Sequence, residues 1–126
     1  MRVVDTSAWI EWLAGKPAGN VVRPLLPSVD DWLVPTIVQL ELSKWLMRTV
    51  SRQMADQIIL FSNQCLVVPL DTAIALRASE YCRAHKLATA DAIVYATAVQ
   101  HGADILTCDS HFSALPDVVF VPNRSS

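Results

Sequence analysis

Four acidic side chains, Asp5, Glu41, Asp91 and Asp109, stand at positions from which separate elements can deliver a carboxylate to one common rim. Like charges about 5 Å apart repel by roughly 3 kcal/mol per pair even at an effective dielectric of about 20, so such a cluster must bind a cation or hold protons. With oxygen donors only, Mg2+ or Mn2+ is the natural ion. A carboxylate-bound ion of this kind can orient and acidify an attacking water and neutralise charge developing on a phosphate. Phosphodiester hydrolysis is therefore the leading chemistry. Other chemistries lack their residues: no His or Cys spacing suggests zinc, no Ser-His-Asp set is evident, and the three glycines form no phosphate-cradling loop. His85, His101 and His111 are scattered, and His111, near the acids, reads as a rim residue rather than a ligand.

The elements that must position these acids follow from pattern. Thr89 reads as an N-cap, Asp91 falls in the first turn, and Gly102 sits where a left-handed C-terminal cap is expected, which brackets a helix. About a dozen residues at ~1.5 Å each give 16 to 18 Å. The buried strand Ile105-Leu106-Thr107 climbs back at about 3.3 Å per residue. Asp91 and Asp109 then both arrive at the strand's carboxyl end, the edge where open α/β sheets bind ligands. Arg2-Val3-Val4 is a further strand that hands Asp5 to the same edge. Trp32-Leu33-Val34 is another, followed by a helix from Thr36 to about Val50. Glu41 lies about one and a half turns into that helix and leans back toward its start.

Each acid also has a bland explanation. Asp91 could complement a helix dipole, Asp5 and Asp109 could cap turns, and Glu41 could pair with Lys44 on the surface. Against this, the helix carrying Asp91 is apolar nearly all round, with Ala92, Ile93, Val94, Tyr95, Ala96, Ala98 and Val99, and no adjacent residue is basic. The remaining chain reads as a short helix from Ser7 to Leu13 stopped by Gly15-Lys16-Pro17, and another over Val21–Leu26 with Pro24 in its first turns. A helix over Arg52–Gln64, a strand over Cys65–Val68, a helix over Thr72–His85, a last strand over Val118–Val121 and a tail over Asn123–Ser126 complete it. Trp9 and Trp12 read as core or interface residues. Strand–helix alternation specifies an α/β domain with a mainly parallel sheet.

At 126 residues and 52% hydrophobic, the chain is expected to be a single domain over residues 1–126, burying about two-thirds of its unfolded surface. Cys65, Cys82 and Cys108 are odd in number and form no C-x-x-C pair, and Arg2 and Asp5 interrupt any signal-peptide pattern. A reduced, cytoplasmic protein is expected. No apolar run approaches the ~20 residues of a membrane span. The net charge of −2 gives no global nucleic-acid signal, yet the middle third of the chain is net basic while both ends are net acidic. That third is the candidate for phosphate contact.

Asp5-Thr6-Ser7, Glu41 within Leu40-Glu41-Leu42, Asp91 within Thr89-Ala90-Asp91-Ala92, and Thr107-x-Asp109-x-x-Phe112 together resemble the PIN-domain ribonucleases, in particular the VapC toxins of toxin–antitoxin pairs, over essentially the whole chain. The resemblance implies a three-layer α/β/α domain and a metal-dependent endoribonuclease. Asp5, Glu41, Asp91 and Asp109 would be its catalytic acids, Asp5, Asp91 and Asp109 its Mg2+ or Mn2+ ligands, and Thr6, Ser7 and Thr107 supporting hydroxyls. It further implies an RNA substrate, a homodimer, and restraint by a VapB-like antitoxin whose C-terminal segment occupies a groove near the acids. From charge alone, Lys44, Arg48 and Arg52 are candidates for the RNA backbone, with a solvated face as their alternative.

Rival readings lack residues. A receiver-like signalling domain expects paired acids after its first strand, an Asp directly after a central strand and a late Lys. Here Asp5 stands alone, Pro69-Leu70 separates Val68 from Asp71, and Val121 leads to Pro122-Asn123. A dehalogenase-type phosphatase wants D-x-D, but Ser7 holds the third position. A PIN fold serving RNA processing rather than a toxin, or serving only as a binding module, remains an alternative; the intact quartet disfavours the binding module.

Overall fold

A computed structural model describes residues 1–123; the tail expected over Asn123–Ser126 lies, from residue 124 onward, outside the described residues. The strands are β1 (Arg2–Val4), β2 (Trp32–Pro35), β3 (Leu66–Val68), β4 (Asp104–Thr107) and β5 (Val118–Phe120), and the helices are α1 (Thr6–Leu13), α2 (Pro17–Val22), α3 (Thr36–Thr49), α4 (Arg52–Ser62), α5 (Thr72–Ala84) and α6 (Thr89–Gln100). All four strand pairings are parallel, in the order β3-β2-β1-β4-β5. Parallel neighbours need crossovers, and the helices supply them, giving the α/β/α layering.

β1 is central and its Val3 and Val4 are completely buried. Arg2 pairs with Trp32 of β2 on one side and Asp104 of β4 on the other. After β1 the chain turns through α1 and α2 to β2; β4 and β5 fill the opposite side. The strand order therefore reverses between β1 and β4, the crevice in which doubly wound sheets bind ligands.

Trp9 of α1 is fully buried against Trp32, ring centroids 4.7 Å apart, with Phe61 of α4 closing the cluster at 5.5 Å from Trp32. Such tilted and edge-on contacts add to the burial term. α6 is the core helix: every residue from Ala92 to Ala98 is buried. No helix among the described residues is long and apolar enough to cross a membrane.

Several element boundaries differ from those the pattern predicts. Pro17 does not merely stop α1; it opens α2 from the first turn, where its fixed φ suits a helix, so that helix is Pro17–Val22 and Pro24 falls in a following 3-10 turn over Arg23–Leu25. Gly19 is the reason the two helices nest so closely, since a Cβ there would stand 2.2 Å from the Glu11 carbonyl oxygen. Cys65 precedes β3, its N–H donating to the Ser62 carbonyl in a turn. α6 is capped at Ala88, with Thr89 already inside the helix and no side-chain cap bond. Gly102 does adopt the left-handed conformation, at φ +61.

Candidate active site

Asp5 follows β1 directly, and its backbone N–H extends the ladder by donating to the Leu106 carbonyl at 2.9 Å. Its carboxylate is thereby fixed at the carboxyl end of the central strand, 4% exposed. The Ser7 hydroxyl donates to its Oδ2 at 2.8 Å and the Thr107 hydroxyl to the same oxygen at 2.9 Å. Both hydroxyls also accept: Ser7 from the Cys108 N–H at 3.0 Å and Thr107 from the Asp109 N–H at 2.9 Å. One network thus ties the end of β1 to the end of β4, and it orients Asp5 while holding the backbone that carries Asp109.

Glu41 reaches the same rim from α3. Its Oε1 accepts from the Thr6 hydroxyl at 2.7 Å, and among the described residues it makes no ion pair with Lys44. Asp91, in the first turn of α6, and Asp109, after β4, complete the set; both are half-buried. Asp109 also performs the turn-capping task, accepting from the His111 N–H at 2.9 Å at the start of a 3-10 turn over Ser110–Phe112. That turn folds the imidazole back, with His111 Nδ1 3.2 Å from Asp109 Oδ1 and 3.5 Å from Asp91 Oδ2.

Asp91, Asp109 and His111 bring one potential ligand atom each within 4.8 Å of one another. Asp5 lies outside this tightest trio. His111, expected at the rim, has a side chain 71% exposed, and its position two residues after Asp109 in a tight turn brings its ring to the carboxylates.

Electrostatics reflect crowding. Burial pushes the Asp5 carboxyl up to about 6, against the pull of the Ser7 and Thr107 hydroxyls and reinforced by Asp91 and Glu41. The Asp91 carboxyl is raised by burial and then by Asp109, with His111 and Glu41 acting in opposite directions. Among the described residues, none of the four acids has a Lys or Arg ion-pair partner. Oxygen donors with uncompensated negative charge and one adjacent imidazole suit a hard divalent cation. Cys108, directly behind the network, has its thiol raised to about 11 by burial and is a neutral wall rather than a nucleophile.

The three candidate basic residues behave differently. Lys44 and Arg48 are exposed on α3 without ion pairs among the described residues, whereas Arg52 engages Asp56 at 3.3 Å on the surface of α4.

With this geometry established, comparison with known proteins gives a consistent relationship. The family profile described as PIN domain matches residues 2–118. A search of curated proteins gives no match. Among solved structures, a toxin–antitoxin complex from Klebsiella pneumoniae contains a chain with a TM-score of 0.83 at 20% identity, covering 98% of this chain and 100% of that one. The Mycobacterium tuberculosis VapC20, described as a sarcin-ricin loop cleaving toxin, gives 0.77 at 22% identity over 97% and 100%. VapBC-1 from nontypeable Haemophilus influenzae gives 0.71 at 19% identity over 96% of each chain. At these identities the structural likeness establishes the shared fold.

Proposed function

Because the chain belongs to the PIN-domain family, we propose that it is a Mg2+- or Mn2+-dependent endoribonuclease, the toxin of a toxin–antitoxin pair, hydrolysing RNA phosphodiester bonds. The observation that carries this reading is the meeting of Asp5, Glu41, Asp91 and Asp109 at the topological switch of a parallel sheet without a cationic side chain to neutralise them.

In this reading Asp5, Asp91 and Asp109 would hold the cation, with the His111 imidazole beside the two outer acids. When bound, the cation supplies Lewis-acid neutralisation of phosphate charge and acidification of water. The chain's own groups do the positioning. Ser7 and Thr107 fix the Asp5 carboxylate in one orientation, so the site is built before substrate arrives. Thr6 occupies one oxygen of Glu41 and leaves the other to orient a water. Lys44 and Arg48 attract the RNA backbone.

One structural neighbour is described as a toxin–antitoxin complex and another as VapBC-1, which supports a VapB-like protein as partner here; a homodimer is the expected toxin assembly. The test is cleavage of a mixed RNA by the purified chain with Mg2+ or Mn2+, by Asp5→Ala and Asp91→Ala, and after chelation. Cleavage by the wild type alone, lost with chelator, is the expected result. Equal cleavage by the variants would remove these acids from the site.

A further inference from the structure

On the β5 side of the acids lies an open cavity of about 510 Å3, lined by Ser7, Cys108, Asp109, His111, Phe120 and Asn123 among others. A cavity of this volume is in the range that holds a small organic ligand. Asp109 and His111 belong to both the cavity and the acid cluster, so the two spaces are continuous.

Its chemistry says what fits. Phe120, at the end of edge strand β5, is half-buried and gives the cavity an aromatic wall, while Asn123 is exposed at its mouth. An amide offers two donors and an acceptor. No Lys or Arg lines the cavity among the described residues, and Asp109 disfavours an anion there. Cys108 contributes a buried side chain to the wall. A neutral planar group with polar edges matches these walls, and a phosphate does not. The free basic residues Lys44 and Arg48 lie on α3, which follows β2, whereas the cavity lies at β4 and β5; β1 and its acids are between them.

We infer that this cavity takes the nucleobase next to the cleaved bond, stacked on Phe120 and hydrogen-bonded along its edge by Asn123, and so sets the sequence that is cut. This rests on the nuclease reading above. Single-stranded RNA is read in this way, by aromatic stacking and contacts to unpaired base edges.

The test uses the full chain with Mn2+ on short RNAs whose cut site has been mapped, with one nucleotide at a time made abasic. In the wild type, removing one flanking base is expected to lower kcat/KM about tenfold or more, as for the loss of a stacked base. In Asn123→Ala and Phe120→Leu, full-length RNA is cut more slowly, but that same abasic substitution costs much less because the contact is already gone. Asn123 is exposed, so its variant separates recognition from folding. An uncharged nucleoside titrated without metal is also expected to shift the Phe120 ring and Asn123 amide resonances. Cleavage with an equal abasic penalty in wild type and variants overturns the base subsite and leaves the nuclease reading intact. No cleavage of any RNA overturns both.

Discussion

Asp5 has a carboxyl raised from 3.8 to about 6, chiefly because it is buried. Below pH 3.8 the group is protonated in both folded and unfolded chains. As pH rises, the unfolded chain releases its proton first, so the folded state loses stability until the pH passes about 6. The full loss is roughly 3 kcal/mol, from ~1.4 kcal/mol for each tenfold step in proton affinity. Without metal, the melting temperature of Asp5→Asn relative to wild type is therefore expected to increase between pH 4.5 and 7, and saturating Mn2+ to stabilise only the wild type strongly. A constant difference between the two proteins across that range would mean that Asp5 is not strained in the fold. Asp5, Asp91 and Asp109 were visible as candidates from type and spacing. The role of Thr107 in bonding both Asp5 and the Asp109 backbone was not, because it depends on β1 and β4 being neighbours although about a hundred residues apart in the chain. His111 was legible as a rim residue near the acids, but its approach to both Asp91 and Asp109 was not, because a turn geometry directs its ring and spacing alone does not state that geometry.

Elements with a continuous apolar run and clear end signals were legible. α6 lies where its apolar pattern and Gly102 place it, and β1, β2, β4 and β5 fall within a residue or two of their expected limits. Boundaries set by packing were not legible. Gly19 carries no turn signal, having an ordinary φ, and its role is steric: it admits the Glu11 carbonyl of the preceding helix. Adding a methyl at that point meets backbone, which cannot swing aside. Gly19→Ala is expected to destabilise the fold by about 1–3 kcal/mol, the usual cost of overpacking, read as a lower urea midpoint. An unchanged midpoint would show that α1 and α2 can separate at no cost. Pro17 was misplaced for a related reason, since proline both ends one helix and begins another, and only the docking of α2 on α1 selects between the two uses.

For the molecule as a whole, charge is arranged across the sheet rather than along the chain. The acids lie at the carboxyl ends of the central strands, and Lys44 and Arg48 project from α3 toward solvent, with no ion pairs among the described residues. In an Asp91→Ala background that prevents cutting, Lys44→Ala and Arg48→Ala are each expected to weaken single-stranded RNA binding and to reduce the slope of log affinity against log salt by about 0.7 per lost phosphate contact. Arg52→Ala is expected to change that slope less than either, because the Asp56 carboxylate 3.3 Å away offsets part of its charge in an exposed pair. Slopes equal to wild type for the first two variants would place the RNA path elsewhere. The sequence by itself determined the α/β class, the core helix and the residue types of the acid quartet, because periodicity and side-chain chemistry are local properties. Strand order, the shared hydroxyl network under Asp5, the turn of His111 onto two carboxylates and the cavity beside Phe120 were decided only by tertiary structure. Each depends on which distant segments become neighbours, and that is fixed by the burial and backbone pairing of the whole sheet.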